Sequence, residues 1–135
     1  MIVGLGMDVV EIARVRAMLD RHAERARRKL FTPDEIAYAD ARTDPARHFA
    51  ARFAAKEAAF KALALGDGAR RISWLDIEVV NERDGRPTLR LHGVAAACAS
   101  GLGVSGYWIT ITHGEAVAAA TVVLDRSQPH PPAPL

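Results

Sequence analysis

The alanine-rich segment in the middle of the chain is the feature that most restricts the fold. It starts at the helix-initiating pair Asp44-Pro45, and its last helical residue is expected at about Leu65, before Gly66-Asp67-Gly68. At about 3.6 residues per turn, its alanines cover much of one face. The opposite face carries Phe49, Phe53, Phe60 and Leu63. A helix that is apolar nearly all round is a buried one, so the sequence predicts a long buried helix.

Charged residues inside this predicted helix need an explanation. Lys56 falls within the aromatic face, and Glu57 and Lys61, four residues apart, lie side by side at its edge. Charged groups rarely enter a core without a partner. Two interpretations are open: Glu57 and Lys61 form a structural ion pair, or these charges serve a ligand.

The first strand, expected over residues 2–10, carries a second unusual face. Alternation places Gly4, Gly6 and Asp8 on one side, so Asp8 ends a bare glycine face. Glycines inside a strand often mark close approach by a ligand or by another backbone, and simple packing is the alternative. Asp8 and Glu57 are hard oxygen ligands of the kind that hold magnesium at phosphoryl-transfer sites. Zinc is not expected, because Cys98 and the histidines show no zinc-type spacing.

The remaining patterns predict an α+β domain with a mainly antiparallel sheet. Thr32-Pro33-Asp34-Glu35 is a capping-box start for a short helix to about Ala41. Two hairpins and an alanine-rich helix follow. The first hairpin runs over residues 74–80 and 88–91 across the turn Asp84-Gly85-Arg86-Pro87, the helix over 93–102, and the second hairpin over 106–112 and 116–124. We expect one domain over residues 1–125 and a disordered proline-rich tail over 126–135.

Basic residues are concentrated in one segment. Seven basic and two acidic residues lie between Arg14 and Lys29, although the net charge of the chain is only +2. This run is either a solvated helix face or a docking surface for an acidic protein or a nucleic acid. The absence of interleaved aromatic residues before Phe31 argues against single-stranded nucleic acid. The start of the chain lacks a signal-peptide pattern and no apolar run reaches membrane-spanning length, so we expect a cytoplasmic protein.

Three segments resemble the motifs of a known family. They are Gly4-Leu5-Gly6-Met7-Asp8-Val9-Val10-Glu11-Ile12, Arg52-Phe53-Ala54-Ala55-Lys56-Glu57-Ala58 and Ile109-Thr110-Ile111-Thr112-His113. In order and approximate spacing they resemble the 4′-phosphopantetheinyl transferases of the holo-acyl-carrier-protein synthase type. The resemblance covers essentially everything from Met1 to Leu124 and implies the fold of that superfamily.

The resemblance also implies a reaction. Such enzymes transfer the 4′-phosphopantetheine arm of coenzyme A to a serine of an apo acyl carrier protein in fatty acid biosynthesis, releasing adenosine 3′,5′-bisphosphate. It makes Asp8 and Glu57 the Mg²⁺ ligands. Glu57, directly or through a water, would take the serine proton, and Lys61 would contact the phosphates and assist the leaving group. Asp8, Glu57 and Lys61 are therefore the predicted catalytic residues.

The same resemblance assigns a nucleotide-binding set. Its members are Arg52, Lys56, Lys61, Gly85, Arg86, Pro87, Thr112 and His113. For the turn over residues 84–87, a plain hairpin is an equally good interpretation. The chain departs from the family pattern at Ala59-Phe60 and at the acid of Gly66-Asp67-Gly68, which puts local nucleotide contacts in question.

Partners and assembly follow from the resemblance as well. It implies an acidic acyl carrier protein docked at Arg14 and Arg21, coenzyme A as co-substrate, and a homotrimer with sites at its subunit interfaces. It implies neither a nucleic-acid nor a membrane partner. Two alternatives stay open: a transferase for polyketide or peptide-synthase carriers, and a non-catalytic module that holds an acidic partner through residues 14–29.

Overall fold

The computed structural model describes residues 1–127, and its helices and strands form an α+β domain. In chain order they are β1 (Ile2–Glu11), α1 (Ile12–Leu30), α2 (Pro33–Asp40), α3 (Pro45–Leu63), β2 (Ile77–Asn81), β3 (Pro87–Leu91), α4 (Gly93–Gly101), β4 (Gly106–His113) and β5 (Val117–Asp125). One antiparallel sheet has the order β1-β5-β4, and β2 and β3 form a separate antiparallel pair. The predicted fold class is confirmed. The predicted disordered tail lies outside the described residues, apart from Arg126 and Ser127.

Helix α3 is the centre of the fold. Most of its residues are buried, and it packs against β1, β5 and the β2–β3 hairpin. Its predicted start at Pro45 is confirmed, and it ends at Leu63, close to the expected Leu65. Asp44 occupies the N-cap position, but its carboxylate does not cap the helix. It accepts two hydrogen bonds from the Arg16 guanidinium, at 3.1 and 3.2 Å, and so ties α1 to the start of α3.

The glycine face of β1 allows this strand to touch α3 backbone to backbone. A methyl group added at Gly6 would lie 1.8 Å from the Ala58 carbonyl oxygen, and one at Gly4 would lie 2.2 Å from the Ala62 carbonyl oxygen. Only glycine fits at such a distance. Of the interpretations that the sequence left open, close approach by another backbone is therefore the one observed. It brings the end of β1 against the middle of α3.

Local capping decides where two other elements begin. The capping box at Thr32 and Glu35 is confirmed, with both reciprocal hydrogen bonds present. The predicted strand from residue 74 is wrong for its first three residues, which form a 3₁₀ turn, and β2 starts only at Ile77. The Ser73 hydroxyl accepts a hydrogen bond from the Leu75 backbone, and the Asp76 carboxylate accepts one from the Ser73 backbone. These local bonds compete with strand pairing and fold the chain into a turn.

A buried polar network links α2 to the β2–β3 pair. Glu35 accepts hydrogen bonds from the Thr32 and Val79 backbones, and the Thr32 hydroxyl donates to Glu78 at 2.7 Å. The other Glu78 oxygen lies 3.2 Å from a ring nitrogen of His92. Burial acts to raise the pKa of Glu78, but the hydrogen bonds from Thr32 and His92 outweigh it, and the pKa is lowered. Glu78 is therefore held in its ionised form inside the fold.

The face of the three-stranded sheet that points away from α3 is apolar and uncovered in the single chain. Leu5, Met7 and Val9 of β1 are each more than half exposed, at 64%, 58% and 55%. Leu5 pairs with Val123, which pairs with Trp108, so these three side chains form a row across the same face. A contiguous apolar face of this kind marks an interaction surface. Within residues 1–127, no helix has the length and apolarity needed to cross a membrane.

Candidate active site

Two carboxylates from distant parts of the sequence meet at one cleft. Asp8 comes from the glycine face of β1, and Glu57 comes from α3, which that face contacts. Both line a cleft of about 510 Å³, together with Val9, Val10, Glu11, Arg14, Val15, Met18 and Phe53. Arg14, Val15 and Met18 belong to α1, which forms the opposite wall. The structure therefore brings together the two predicted magnesium ligands.

Lys61 contacts Asp8 and not Glu57. Its ammonium donates to Asp8 Oδ1 at 3.0 Å and to the Met7 carbonyl oxygen at 2.9 Å. No salt bridge joins Glu57 to Lys61 among the described residues, so the structural ion pair, one of the two interpretations that the sequence left open, is not observed. The end of β1 lies close enough to α3 to offer Lys61 two oxygen atoms at once. All three predicted catalytic residues thus lie in one place.

The charge balance of this cleft favours a cation. Burial raises the pKa of Glu57, the Asp8 carboxylate raises it further, and Lys61 offsets part of the shift. The cleft carries three carboxylates, from Asp8, Glu11 and Glu57, against the Arg14 guanidinium and the Lys61 ammonium, which leaves one net negative charge. Residues 1–127 hold no cluster of three or more histidine, cysteine, aspartate or glutamate side chains suited to a metal. Two hard oxygen ligands with room for water and phosphate fit magnesium, which is commonly held in this way.

Lys56 is placed differently from the prediction. Its side chain is fully buried, and its ammonium lies 2.6 Å from Glu35 Oε1. It also donates to the carbonyl oxygens of Leu30 and Trp74, at 2.8 and 2.9 Å. An ammonium has three donors, and here protein groups from three different segments take all of them. This corrects the prediction that Lys56 contacts the nucleotide, since the fold uses Lys56 to neutralise a buried carboxylate.

Of the other predicted nucleotide residues, Lys61 lies at the carboxylate cleft and Arg52 lies on α3, whereas Gly85, Arg86 and Pro87 lie at the β2–β3 turn and Thr112 and His113 end β4. The Arg52 guanidinium donates to Asn81 Oδ1 at 2.7 Å, and Asn81 Nδ2 donates to the Gly85 carbonyl oxygen at 3.0 Å. These bonds tie the turn to α3. Arg86 pairs with Asp84. A small cleft of about 200 Å³ beside the turn is lined by Glu82, Arg86, Pro87, Thr88, Tyr107, Trp108 and Ile109.

Three residues that the sequence reasoning missed, Tyr38, Arg42 and His48, join Arg52 and His113 in a second group, separate from the carboxylate cleft. The guanidinium carbons of Arg42 and Arg52 lie 4.1 and 3.8 Å from the centre of the Tyr38 ring. The His48 ring packs edge-on between Tyr38 and His113, with ring centres 6.0 and 5.6 Å apart. His48 lies four residues before Arg52, so helical spacing could have linked them. No sequence signal pointed to Tyr38 or Arg42.

This second group is rich in cations and poor in acids. Arg52 is only 5% exposed, its Nε has no hydrogen-bond partner within residues 1–127, and it forms no salt bridge there. Burial lowers the pKa of His48, and the positive charges of His113 and of neighbouring arginines lower it further. A buried guanidinium without an acidic partner is costly unless an anion completes the site. The group therefore has the charge needed to bind a phosphate.

The two groups do not form one site within a single chain. β1 and β4 are the two edges of the three-stranded sheet, which puts them roughly 10 Å apart across it. The cleft at Asp8 and Glu57 is lined by none of Gly85, Arg86, Pro87, Thr112 and His113. Thr112 pairs with Ala119, and Ala119 pairs with Val9, so Thr112 lies on the same uncovered apolar face as Val9.

Of the two predicted docking arginines, only Arg14 lines the cleft. Arg21 is exposed on α1 and contributes to neither the cleft nor the groove beside it. That groove, of about 330 Å³, shares Met18 with the cleft and runs along α1 to Trp74. Its cationic wall is formed by Arg25 and Lys29, which the sequence reasoning included only in the general basic run.

This fold and this carboxylate cleft define a class of transferase. Residues 4–121 match the family model described as the 4′-phosphopantetheinyl transferase superfamily. The chain belongs to this superfamily.

Individual relatives indicate which enzymes of this superfamily the chain is similar to. The chain is 49% identical over 132 residues to a holo-[acyl-carrier-protein] synthase of Anaeromyxobacter sp. (strain K), covering 96% of this chain and 100% of the relative. A holo-(acyl-carrier-protein) synthase of Bacillus anthracis, solved in complex with CoA (3′,5′-ADP), is 34% identical with a TM-score of 0.75, covering 94% of this chain and 99% of that one. The acyl carrier protein synthase of Mycobacterium tuberculosis is 37% identical with a TM-score of 0.70, covering 94% and 100%.

Proposed function

We propose that this chain transfers the 4′-phosphopantetheine group of coenzyme A to a serine hydroxyl of an apo acyl carrier protein, with adenosine 3′,5′-bisphosphate as the second product. The catalytic domain spans residues 1–125. The observation that carries this proposal is the meeting of Asp8, Glu57 and Lys61 at one cleft. Asp8 and Glu57 come from the first two motifs that resemble the family, Lys61 follows the second motif by three residues, and the names of the relatives agree with the reaction.

Asp8 and Glu57 are the residues that would hold magnesium. Their two carboxylates supply few protein ligands and leave room for water and for the pyrophosphate of coenzyme A. When bound, the metal would neutralise the charge that develops as the β-phosphorus is attacked. We place the enzyme in fatty acid biosynthesis and in the cytoplasm.

Glu57 is the group that takes the proton of the carrier's serine, directly or through a water. Burial and the Asp8 charge raise its pKa, which makes its carboxylate a stronger base than that of an ordinary glutamate. Lys61 is half exposed on the same wall and carries the charge needed to contact the pyrophosphate and the leaving group.

Coenzyme A binds between neighbouring subunits of a homotrimer in this proposal. Arg52 and His113 bind its nucleotide part, with Thr112 and the turn residues Gly85, Arg86 and Pro87 nearby. Two observations support this arrangement. The nucleotide group and the carboxylate cleft lie at opposite edges of the sheet, and the apolar face between them is uncovered in one chain. A small chain gains stability by covering such a face with another copy of itself.

The carrier docks along α1. Arg14 lines the carboxylate cleft, and the basic groove that continues past Met18 offers complementary charge to an acidic protein. Arg21 lies farther along the same helix and contributes to the general positive field and not to the cleft. Such steering raises the encounter rate and weakens as salt is added.

Mass spectrometry of the carrier tests the proposal directly. The protein is incubated with coenzyme A, magnesium and an apo acyl carrier protein, and the carrier should gain the mass of one phosphopantetheine group. Glu57→Gln should abolish the transfer without unfolding the protein. An unmodified carrier in the wild-type reaction refutes the proposal, and full activity of Glu57→Gln refutes the role of that residue.

The two alternatives give different outcomes in the same assay. A binding module for acidic partners needs neither Asp8 nor a metal, so magnesium-dependent binding of coenzyme A contradicts it. A transferase for polyketide or peptide-synthase carriers would modify those carriers faster than the fatty-acid carrier when the carriers are compared side by side.

A further inference from the structure

The Lys61 ammonium is bonded to Asp8, the same carboxylate that would have to bind a metal cation. Its ammonium is held by the Asp8 carboxylate and by the Met7 carbonyl oxygen, and its third donor has no protein partner within the described chain. The Lys61 side chain is 53% exposed, whereas that of Asp8 is 19% exposed. One oxygen of the proposed metal ligand is thus already bonded to a positive group.

The two lysines of α3, Lys56 and Lys61, differ in how far they can move. Lys56 has no exposed surface and three protein partners, so removing its ammonium from Glu35 would leave a bare buried charge. Lys61 has two partners at the surface and a flexible four-carbon stem. Its bond to Asp8 is screened by solvent and is weak enough to be exchanged for another anion.

Charge counting shows what such an exchange does. Asp8, Glu57 and Lys61 together carry one net negative charge, and the charges of Glu11 and Arg14 in the same cleft cancel. A divalent cation alone would therefore leave the site with one net positive charge. The pyrophosphate of coenzyme A adds two negative charges and brings the total back to one negative charge. Metal and nucleotide therefore favour each other, and Lys61 is the residue that makes the metal alone unfavourable.

We propose that Lys61 is a placeholder cation, which neutralises Asp8 in the free protein and moves to the pyrophosphate when metal and coenzyme A bind together. This inference rests on the proposed function and deepens it. Lys61 keeps Asp8 from binding a divalent cation on its own and couples metal affinity to the presence of coenzyme A. No covalent bond changes in this exchange, because only the hydrogen-bond partner of the ammonium differs.

Manganese binding measures this coupling without turnover. Binding of Mn²⁺ is followed by the electron paramagnetic resonance signal of the free ion, with and without coenzyme A and with no carrier present. For the wild-type protein, coenzyme A should tighten Mn²⁺ binding at least about tenfold. Lys61→Met should bind Mn²⁺ about tenfold more tightly than wild type without coenzyme A, and coenzyme A should then add little.

Two further variants separate the placeholder role from general charge effects. Lys61→Arg keeps the positive charge and should keep the wild-type coupling. Arg14→Met removes a cation that lines the same cleft and is not bonded to Asp8, and it should raise Mn²⁺ affinity much less than Lys61→Met. Circular dichroism confirms that each variant is folded before its metal affinity is measured.

The outcomes distinguish failure of the proposed function from failure of the placeholder role alone. If wild-type protein binds no Mn²⁺ with or without coenzyme A, the proposed function and the placeholder role both fail. If wild type shows the coupling but Lys61→Met has unchanged Mn²⁺ affinity, only the placeholder role fails. An increase for Arg14→Met equal to that for Lys61→Met also overturns it, because the effect would then depend on net charge alone.

Discussion

Replacing Gly6 by alanine tests whether the contact between β1 and α3 builds the site. The added methyl group would lie 1.8 Å from the Ala58 carbonyl oxygen and 2.8 Å from the Ala62 backbone nitrogen. A carbon and an oxygen atom that are not bonded need about 3.3 Å, so the strand and the helix would have to separate by about 1.5 Å. Both partners are backbone atoms, which cannot rotate out of the way.

Two opposing effects set the magnitude. Forcing extra volume into a packed contact costs about 1–3 kcal/mol, and backbone partners place Gly6→Ala at the upper end of that range. Alanine also restricts the unfolded chain, which stabilises by about 0.4–1 kcal/mol. We expect a net loss of about 2 kcal/mol in the free energy of unfolding. Because Asp8 is two residues away, a shift of this size should also reduce transfer about 100-fold.

Urea denaturation at fixed protein concentration measures the loss, with the carrier assay beside it. Gly101→Ala is the matched control, because no atom beyond its chain neighbours and its own helix backbone lies within 4 Å of the added methyl group. This control should be as stable as wild type or more stable, with unchanged transfer. If Gly6→Ala unfolds at the wild-type urea concentration and keeps full activity, close backbone contact does not position Asp8 and the reasoning is refuted.

Four other perturbations test separate parts of the structure. Lys56→Met should cost about 3–5 kcal/mol because it leaves the Glu35 carboxylate buried and unpaired, while KM for coenzyme A stays unchanged; a raised KM with no loss of stability would restore its nucleotide role. Because the pKa of Glu78 is lowered in the folded protein, its ionised carboxylate stabilises the fold at pH values above the ordinary glutamate pKa. This stabilisation is lost as the pH falls through the lower pKa of the folded state. Glu78→Gln should therefore be less stable than wild type at pH 7, and the gap in urea midpoints should close in acid; a constant gap contradicts this. Met7→Glu places a charge on the uncovered sheet face and should yield monomers in analytical ultracentrifugation, whereas an unchanged sedimentation coefficient would exclude this face as the interface. Arg14→Glu should raise KM for the carrier more than KM for coenzyme A and should flatten the salt dependence, and equal effects on both would argue against carrier docking there.

Elements whose cause lies within a few residues could be predicted from the sequence. The capping box at Thr32 and Glu35, the helix start at Pro45 and the two hairpins depend on short hydrogen bonds and on apolar periodicity. The 3₁₀ turn at residues 74–76 is also local, but its serine and aspartate bonds compete with an alternating pattern that favours a strand. Alternation alone could not decide that competition.

Partners that are distant in sequence could not be predicted in the same way. The sequence placed Lys56, Glu57 and Lys61 on one helix and showed that their charges needed an explanation. Only the tertiary structure decided that Lys56 pairs with Glu35 and that Lys61 turns to Asp8. An ion pair depends on the distance between two elements, and helical spacing reports distances within one element only.

By itself, the sequence determined the buried central helix, the α+β class and the two carboxylates, because periodicity, capping and motif residues are written in neighbouring positions. The tertiary structure decided which charges face the cleft, which are buried for stability, and that the nucleotide residues lie at the other edge of the sheet. The physical reason is the close approach of β1 to α3 at Gly4 and Gly6. That contact sets the position of Asp8 relative to α3, and so determines the partner of each charged side chain.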